Sequence, residues 1–199
     1  MPIVEPPITG VTVECIEHAA KVSGVSLLVL KGILQAEGGT PGRASKNRNG
    51  TRDIGPMQIN TLWTKTFANM GVSMSTLKNN GCANILAGTW ILKTHLNDMS
   101  GDQWKAVARY HSKTHKYQYR YLTSVFKKLQ RGDSLEKVVY QINTRMNRGG
   151  KRHKRKINER VSKHDYRQNH KQTIHADPLG SSLIAASADP VGGLTLTAK

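Results

Sequence analysis

The chain is short of acidic residues, of phenylalanine and of long apolar runs. Its 199 residues include 13 Asp and Glu against 30 Lys and Arg, which gives a formal net charge of +17. No apolar run reaches the roughly 18 residues of a membrane-spanning helix, and the N-terminus has no basic stretch followed by an apolar core. We therefore expect no transmembrane segment and no visible signal peptide. The basic surface should attract anionic polymers, namely nucleic acid, anionic lipid or cell-wall polymer.

Cysteine is scarce as well, with Cys15 and Cys82 as the only two in the chain. The sequence has neither a CxxC nor an HExxH spacing, so we predict no metal site. Composition leaves two interpretations of the pair open: two reduced, buried thiols, or one disulfide in an oxidising compartment. A disulfide would enclose the 66 residues between them, for which the chain-entropy model gives a stabilisation of roughly 4 kcal/mol.

Composition divides the chain into three zones. Residues 1–10 are rich in proline and should form an extended N-terminus. Residues 11–145 alternate helical patterns with Gly, Asn and Ser breaks, and they form the predicted domain. Residues 146–199 begin with a basic stretch that is poor in large apolar side chains, and they end in a run rich in Ala, Gly and Ser. We predict that this third zone is a disordered, basic, low-complexity tail.

Helical periodicity dominates the central zone. Apolar residues recur at three- and four-residue spacings, which predicts helices over residues 11–22, 26–37, 60–70, 74–79, 81–97, 102–111, 116–130 and 134–145. The polar segment 40–56 contains Asn49-Gly50, a dipeptide typical of a tight hairpin turn. The predicted fold class is therefore mainly α, with short helices around a small hairpin.

Glu37 is the most informative charged residue. It lies seven residues after Leu30 and four after Ile33, so it shares their apolar helix face. A carboxylate on a buried face is costly when ionised, and burial therefore raises its pKa. A carboxyl that stays protonated near neutral pH can act as the general acid of glycoside cleavage. The alternative is a glutamate of the last turn that points to solvent, and periodicity does not decide between the two.

Three segments resemble the soluble-type lytic transglycosylase family. Members carry a catalytic Glu at a helix end before Ser-Gly or Gly-Gly, then G-L-M-Q-I, then A-x-Y-N-x-G. Here the corresponding segments, in the same order, are Glu37–Gly39, Gly55–Asn60 and Ala108–Ser112. The closer resemblance is to members associated with type IV secretion, conjugation and type III secretion. Their N-G-T-x-D-I-G-x-M-Q-I-N-x-x-W and C-x-N-x-x-x-G-x-W-I-L patterns match residues 49–63 and 82–92.

The resemblance implies an α+β lysozyme-like domain and assigns roles to individual residues. Glu37 is the expected catalytic residue, and Cys15 is expected to pair with Cys82. The expected substrate-binding residues, which would contact N-acetyl groups and sugar hydroxyls, are Met57 through its main chain, Gln58, Asn60, Tyr110 and His111.

The remaining polar and aromatic residues of these motifs have weaker assignments. His111 stands where the family often has Asn, and a purely structural histidine at a helix end is the alternative. Asp53 is expected to support the turn rather than to catalyse. Trp63, Trp90 and Trp104 are expected to lie in the core.

The function that follows from the resemblance is non-hydrolytic cleavage of peptidoglycan between N-acetylmuramic acid and N-acetylglucosamine, with no cofactor. The protein would work in the periplasm or after export, on glycan strands, and would open the wall locally for a secretion or conjugation machine that its basic tail contacts. Nucleic acid is not an expected partner. The alternatives are a goose-type lysozyme-like muramidase, and a non-catalytic scaffold that binds wall polymer or nucleic acid.

Overall fold

A computed structural model describes residues 5–148 of the chain. All but the first three residues of the predicted tail, 146–199, lie outside the described residues, as do residues 1–4. None of the helices in the described part is both long and apolar enough to cross a bilayer.

Helices account for most of this part of the chain, which confirms the predicted fold class. Their bounds are Val13–Ser23 (α1), Leu27–Glu37 (α2), Thr64–Asn69 (α3), Met74–Asn79 (α4), Gly81–Asp98 (α5), Gln103–His111 (α6), His115–Leu129 (α7) and residues 135–148 (α8). The segment predicted as one helix over 60–70 instead begins with a 3-10 turn, Thr61–Trp63. Asn60 causes this start, because its side chain accepts the Leu62 N–H and caps the turn.

The predicted hairpin is also present, and a second one follows it. Three antiparallel strands, Ala44–Lys46 (β1), Arg52–Ile54 (β2) and Ile59–Asn60 (β3), form a sheet in the order β1-β2-β3. Gly50 has a φ of 85° in the first turn, a conformation that glycine adopts without strain. Residues 55–58 form the second turn, which places Asp53 opposite Asn60 on the neighbouring strands.

The core lies where α2 and α5 meet the other helices. α5 packs against α1, α4 and α6, and α7 packs against α2 and α6. Of the apolar face predicted for α2, Leu30, Ile33 and Leu34 have no solvent exposure, whereas Leu27 in the first turn is 38% exposed. A disulfide between Cys15 and Cys82 joins α1 to α5. This confirms the pairing that the resemblance implied, and it clamps the first helix to the long central one.

The expectation that all three tryptophans lie in the core is wrong. Trp90 is 39% exposed and Trp104 is 36% exposed. Trp63 is half-buried, packs against the core and meets the Trp90 ring edge to face at 6.2 Å. Helical spacing places a tryptophan on one side of its helix, but it does not tell whether another element covers that side.

Candidate active site

A polar pocket of about 230 Å³ opens where the C-terminal end of α2, the sheet and α6 meet. It brings together residues that are far apart in the sequence. The residues that line it are Glu37, Asn47, Asp53, Gln58, Ile59, Asn60, Trp63, Ile91, Tyr110 and His111. Every predicted site residue except Met57 and the two cysteines therefore faces one cavity. The Met57 side chain is fully buried behind it.

Glu37 is the last residue of α2, and the buried face of that helix carries its side chain inward. Desolvation by burial raises the pKa of the Glu37 carboxyl to about 7. A hydrogen bond from the Tyr121 hydroxyl acts in the opposite direction, and the negative charge of Asp53 raises the pKa further. Of the two orientations left open by periodicity, the structure has the inward one. The carboxyl can therefore hold a proton near neutral pH, where an ordinary glutamate is ionised.

Tyr121 is a site residue that the sequence analysis missed. Its Oη donates a hydrogen bond of 2.6 Å to Oε1 of Glu37, and its ring stacks on His111 with centroids 4.3 Å apart and planes 2° from parallel. It lies on the buried face of α7, four residues before the fully buried Val125. A tyrosine on such a face needs a partner for its hydroxyl, and this need was the signal available in the sequence.

Gly38 and Gly39 have different physical tasks directly after Glu37. Gly38 ends α2 in the left-handed conformation, with a φ of 61° and open space around the position of a Cβ. A Cβ on Gly39 would instead overlap the carbonyl oxygen of Gly55 and approach Nε2 of Gln58 to 2.7 Å. Only a glycine at this position lets the β2–β3 turn pack against the end of α2.

The β2–β3 turn is built from the Gly55–Gln58 segment of the second motif. The Gln58 N–H donates to the Gly55 carbonyl at 3.1 Å, and the Gln58 side chain donates to the same oxygen at 2.8 Å. Pro56 occupies the second turn position, where its fixed φ is favourable. The departure from the family's usual Leu therefore fits the turn. Gln58 itself has a φ of 48°, so its side chain is held at the pocket by an uncommon backbone conformation.

Asn84 and Gly88 are the Asn and the Gly of the C-x-N-x-x-x-G-x-W-I-L match over residues 82–92, and both hold this turn in place from α5. Asn84 is fully buried; its Oδ1 accepts the Met57 N–H at 2.8 Å and its Nδ2 donates to the carbonyl of Ile54 at 2.9 Å. A Cβ on Gly88 would lie 2.6 Å from the Cβ of Met57. The two residues fix the position of a loop that lines the pocket, and the sequence analysis gave neither of them a role.

Tyr110 is bonded to main chain rather than to Glu37. Its Oη donates to the Met57 carbonyl at 2.7 Å, and burial raises its pKa well above the ordinary value, with a further contribution from the Glu37 charge. The Met57 N–H is already bonded to Asn84. Both main-chain polar groups of Met57 thus have protein partners. Its predicted contact with sugar would use the second lone pair of the carbonyl.

Asn60 and His111 have different capacities for binding a ligand. The Nδ2 of Asn60 donates to Thr51 Oγ1 and to Asp53 Oδ1 at 3.0 and 2.8 Å, so both of its donors are used by residues of the β1–β2 hairpin. This arrangement favours a structural role for Asn60, and its sugar contact stays a prediction. His111 is the last residue of α6, and partial desolvation of its ring lowers its pKa. It is therefore neutral at pH 7 and can offer one donor and one acceptor.

Comparison with known proteins places this geometry in a family. Residues 14–128 match the transglycosylase SLT domain, and the matched range contains every residue that lines the pocket. The chain belongs to the transglycosylase SLT domain family. It is 32% identical over 102 residues to the invasion protein IagB of Salmonella typhimurium, which covers 51% of this chain and 63% of IagB. Protein IpgF of Shigella flexneri is 29% identical over 102 residues, covering 51% of this chain and 66% of IpgF. The chain thus spans slightly less than two thirds of each relative.

Proposed function

We propose that this protein is a peptidoglycan lytic transglycosylase in which Glu37 is the single catalytic acid and base. The observation that carries the proposal is a carboxyl with a pKa of about 7 at the wall of a polar pocket, at the helix end where the family has its catalytic Glu. A proton donor is most effective when its pKa lies near the working pH. Burial against the apolar core brings this glutamate to that value.

The proposed reaction cleaves the β-1,4 bond between N-acetylmuramic acid and N-acetylglucosamine. Neutral Glu37 donates its proton to the leaving glycosidic oxygen as the C1–O bond breaks. The N-acetyl carbonyl of the muramoyl sugar stabilises the positive charge that develops at C1. The Glu37 carboxylate then removes the proton of the C6 hydroxyl, whose oxygen bonds to C1 and closes a 1,6-anhydro ring. The carboxyl ends the cycle protonated, and no water or cofactor is consumed.

The hydrogen bond from Tyr121 suits both halves of this cycle. It favours the ionised form of Glu37, so it limits the energetic cost of the carboxylate that exists between the two proton transfers. The His111 ring stacks on the Tyr121 ring and so helps to fix the position of the phenol. We infer that Tyr121 positions the carboxyl, while Gln58, Tyr110 and His111 form the wall against which the N-acetyl groups bind.

A hydrolase of the goose-type lysozyme-like kind is the second candidate, because one other carboxylate lines the same pocket. Hydrolysis by two carboxyls would require Asp53 to activate water. Asp53 lies on β2, and its Oδ1 accepts a hydrogen bond from the Asn60 side chain. This bond ties Asp53 to the sheet and favours the single-carboxyl reaction.

We further propose that the protein acts on the wall outside the cytoplasm, where it opens peptidoglycan for a transport machine. The similarity to an invasion protein and the secretion-associated motifs of residues 49–63 and 82–92 support this role. Service to a conjugation or type IV system, and docking of that machinery through residues 146–199, remain predictions.

The decisive experiment is product analysis of digested sacculi with wild type, Glu37→Gln and a control variant, Glu17→Gln, which replaces an exposed glutamate on α1. Wild type and the control should release muropeptides one water lighter than muramidase products, and Glu37→Gln should release none. Retained cleavage by Glu37→Gln would overturn the assigned mechanism. Reducing-end products that depend on Asp53 would instead show the two-carboxyl hydrolase.

A further inference from the structure

A second groove, of about 750 Å³, lies between α6 and α7, apart from the catalytic pocket, with which it shares no lining residue. We call it the α6–α7 groove. Trp104 lines it from α6, and Tyr119 and Leu122 line it from α7. Its aromatic side chains are open to solvent, since Trp104 is 36% exposed and Tyr119 is 75% exposed.

The exposed rings on α7 lie on a different side of the helix from its buried residues. The buried face of α7 is formed by Tyr121 and Val125. Tyr119, Leu122 and Phe126 are spaced at i, i+3 and i+7, so they share one side of the helix, on which Leu122 packs against the core and the two rings are open to solvent. Phe126 is 42% exposed and its ring lies 4.5 Å from that of Trp104. Clustered exposed rings of this kind mark binding surfaces more often than isolated apolar residues do.

Cationic side chains surround these rings. Lys105, Arg109 and Lys113 line the groove, and Asp102 is the only carboxylate among its lining residues. Asp102 forms an ion pair of 3.0 Å with Lys105, which leaves Arg109 and Lys113 as the cations without a carboxylate partner in the groove lining. The groove thus combines flat apolar rings with excess positive charge, and it fits a ligand that has apolar faces and carboxylates.

We propose that the α6–α7 groove is a second binding site for peptidoglycan strands, separate from the site of cleavage; this inference rests on the proposed function for the identity of the polymer. Pyranose rings present C–H faces that stack on exposed aromatic rings. The stem peptides supply free carboxylates at intervals along the strand for Lys113 and Arg109. The same helix serves both sites, because Arg109 lines the groove while Tyr110 and His111 line the catalytic pocket.

The groove would keep the enzyme on the insoluble wall between cleavage events, and this can be separated from catalysis. The test measures co-sedimentation of the full chain with purified sacculi, in the Glu37→Gln background so that the polymer stays intact. Two variants, Tyr119→Ala and Lys113→Glu, change the groove. The matched controls are Tyr140→Ala, at a tyrosine that is 70% exposed on α8, and Lys21→Glu, at an exposed lysine of α1.

Each groove variant should weaken binding to sacculi about ten-fold, as is usual for the loss of one central contact, while each control should bind as the parent does. With Glu37 restored, Tyr119→Ala should cleave a short soluble glycan at the wild-type rate and sacculi more slowly. Groove variants that bind like their controls would overturn the inference and leave the surface to a protein partner. If the groove variants lose binding to sacculi while wild type makes no anhydro products, the proposed binding site is supported and the proposed reaction is wrong.

Discussion

Replacement of Glu37 by Gln should remove activity and at the same time stabilise the protein at alkaline pH. Burial raises the pKa of this carboxyl from 4.5 to about 7. The contribution of the group to stability is therefore complete below the unfolded pKa and is lost as the pH rises through the folded value. At roughly 1.4 kcal/mol per unit, the ionised wild-type carboxyl costs about 3 kcal/mol of folding free energy. Glutamine cannot ionise, and it can still accept the Tyr121 hydroxyl hydrogen bond.

The assay is denaturant unfolding of wild type and Glu37→Gln, at about pH 4 and at about pH 8. The free-energy difference between the two proteins should shift by about 3 kcal/mol in favour of the variant on going to the higher pH. All other titrating groups are common to both proteins, so their contributions cancel. A difference that is the same at both pH values would refute the claim that Glu37 is buried with a raised pKa. Glu37 would then be ionised at neutral pH and could not serve as the proton donor.

Three further outcomes follow from the site. Tyr121→Phe removes a hydrogen-bond donor that lowers the pKa of Glu37. The alkaline limb of the profile of kcat/KM against pH should therefore shift to higher pH by about one unit. Asp53→Asn removes a like charge, so it should shift the same limb to lower pH. Gly39→Ala should destabilise the domain by about 3 kcal/mol, because its Cβ overlaps main chain. The matched Gly38→Ala is strained only by its positive φ and should lower the free energy of unfolding by about 1 kcal/mol. Thermal melts of both variants and of wild type measure the difference. Reduction of the disulfide should lower the free energy of unfolding by about 4 kcal/mol in guanidinium titrations with and without reductant.

Local patterns predicted the helices because periodicity records which face of each helix is buried. Leu30 and Ile33 define the face that also carries Glu37, so the burial of the carboxyl could be anticipated even though its final orientation could not. The hairpin at Asn49-Gly50 was readable for a similar reason, since the turn type requires particular residues at particular positions. Predictions of this kind depend on residues only a few positions apart.

Contacts between distant segments could not be predicted in the same way. Tyr121 lies 84 residues from its partner Glu37, and nothing in the spacing of α7 specifies that neighbour. The exposure of Trp104 was missed because hydrophobicity indicates that a side chain can be buried, not that an element is available to bury it. Asn84 stood within a matched motif, but its importance comes from three buried hydrogen bonds to backbone groups brought together only by folding.

The glycines and the buried Asn84 together explain how the fold holds a glutamate of raised pKa beside the pocket. A glutamate at the end of a buried helix face is destabilising when ionised, and the fold retains it only because the surrounding main chain is fixed around it. Gly39 admits the turn, Asn84 holds the turn, and Tyr121 supplies one hydrogen bond to the carboxylate. Changes at Asn84 should therefore alter catalysis through the position of Gln58 and Met57 without contact with the reacting atoms. The E-G-G and M-Q-I motifs thus meet in one packing contact, where Gly39 lies against the Gly55 carbonyl and the Gln58 side chain.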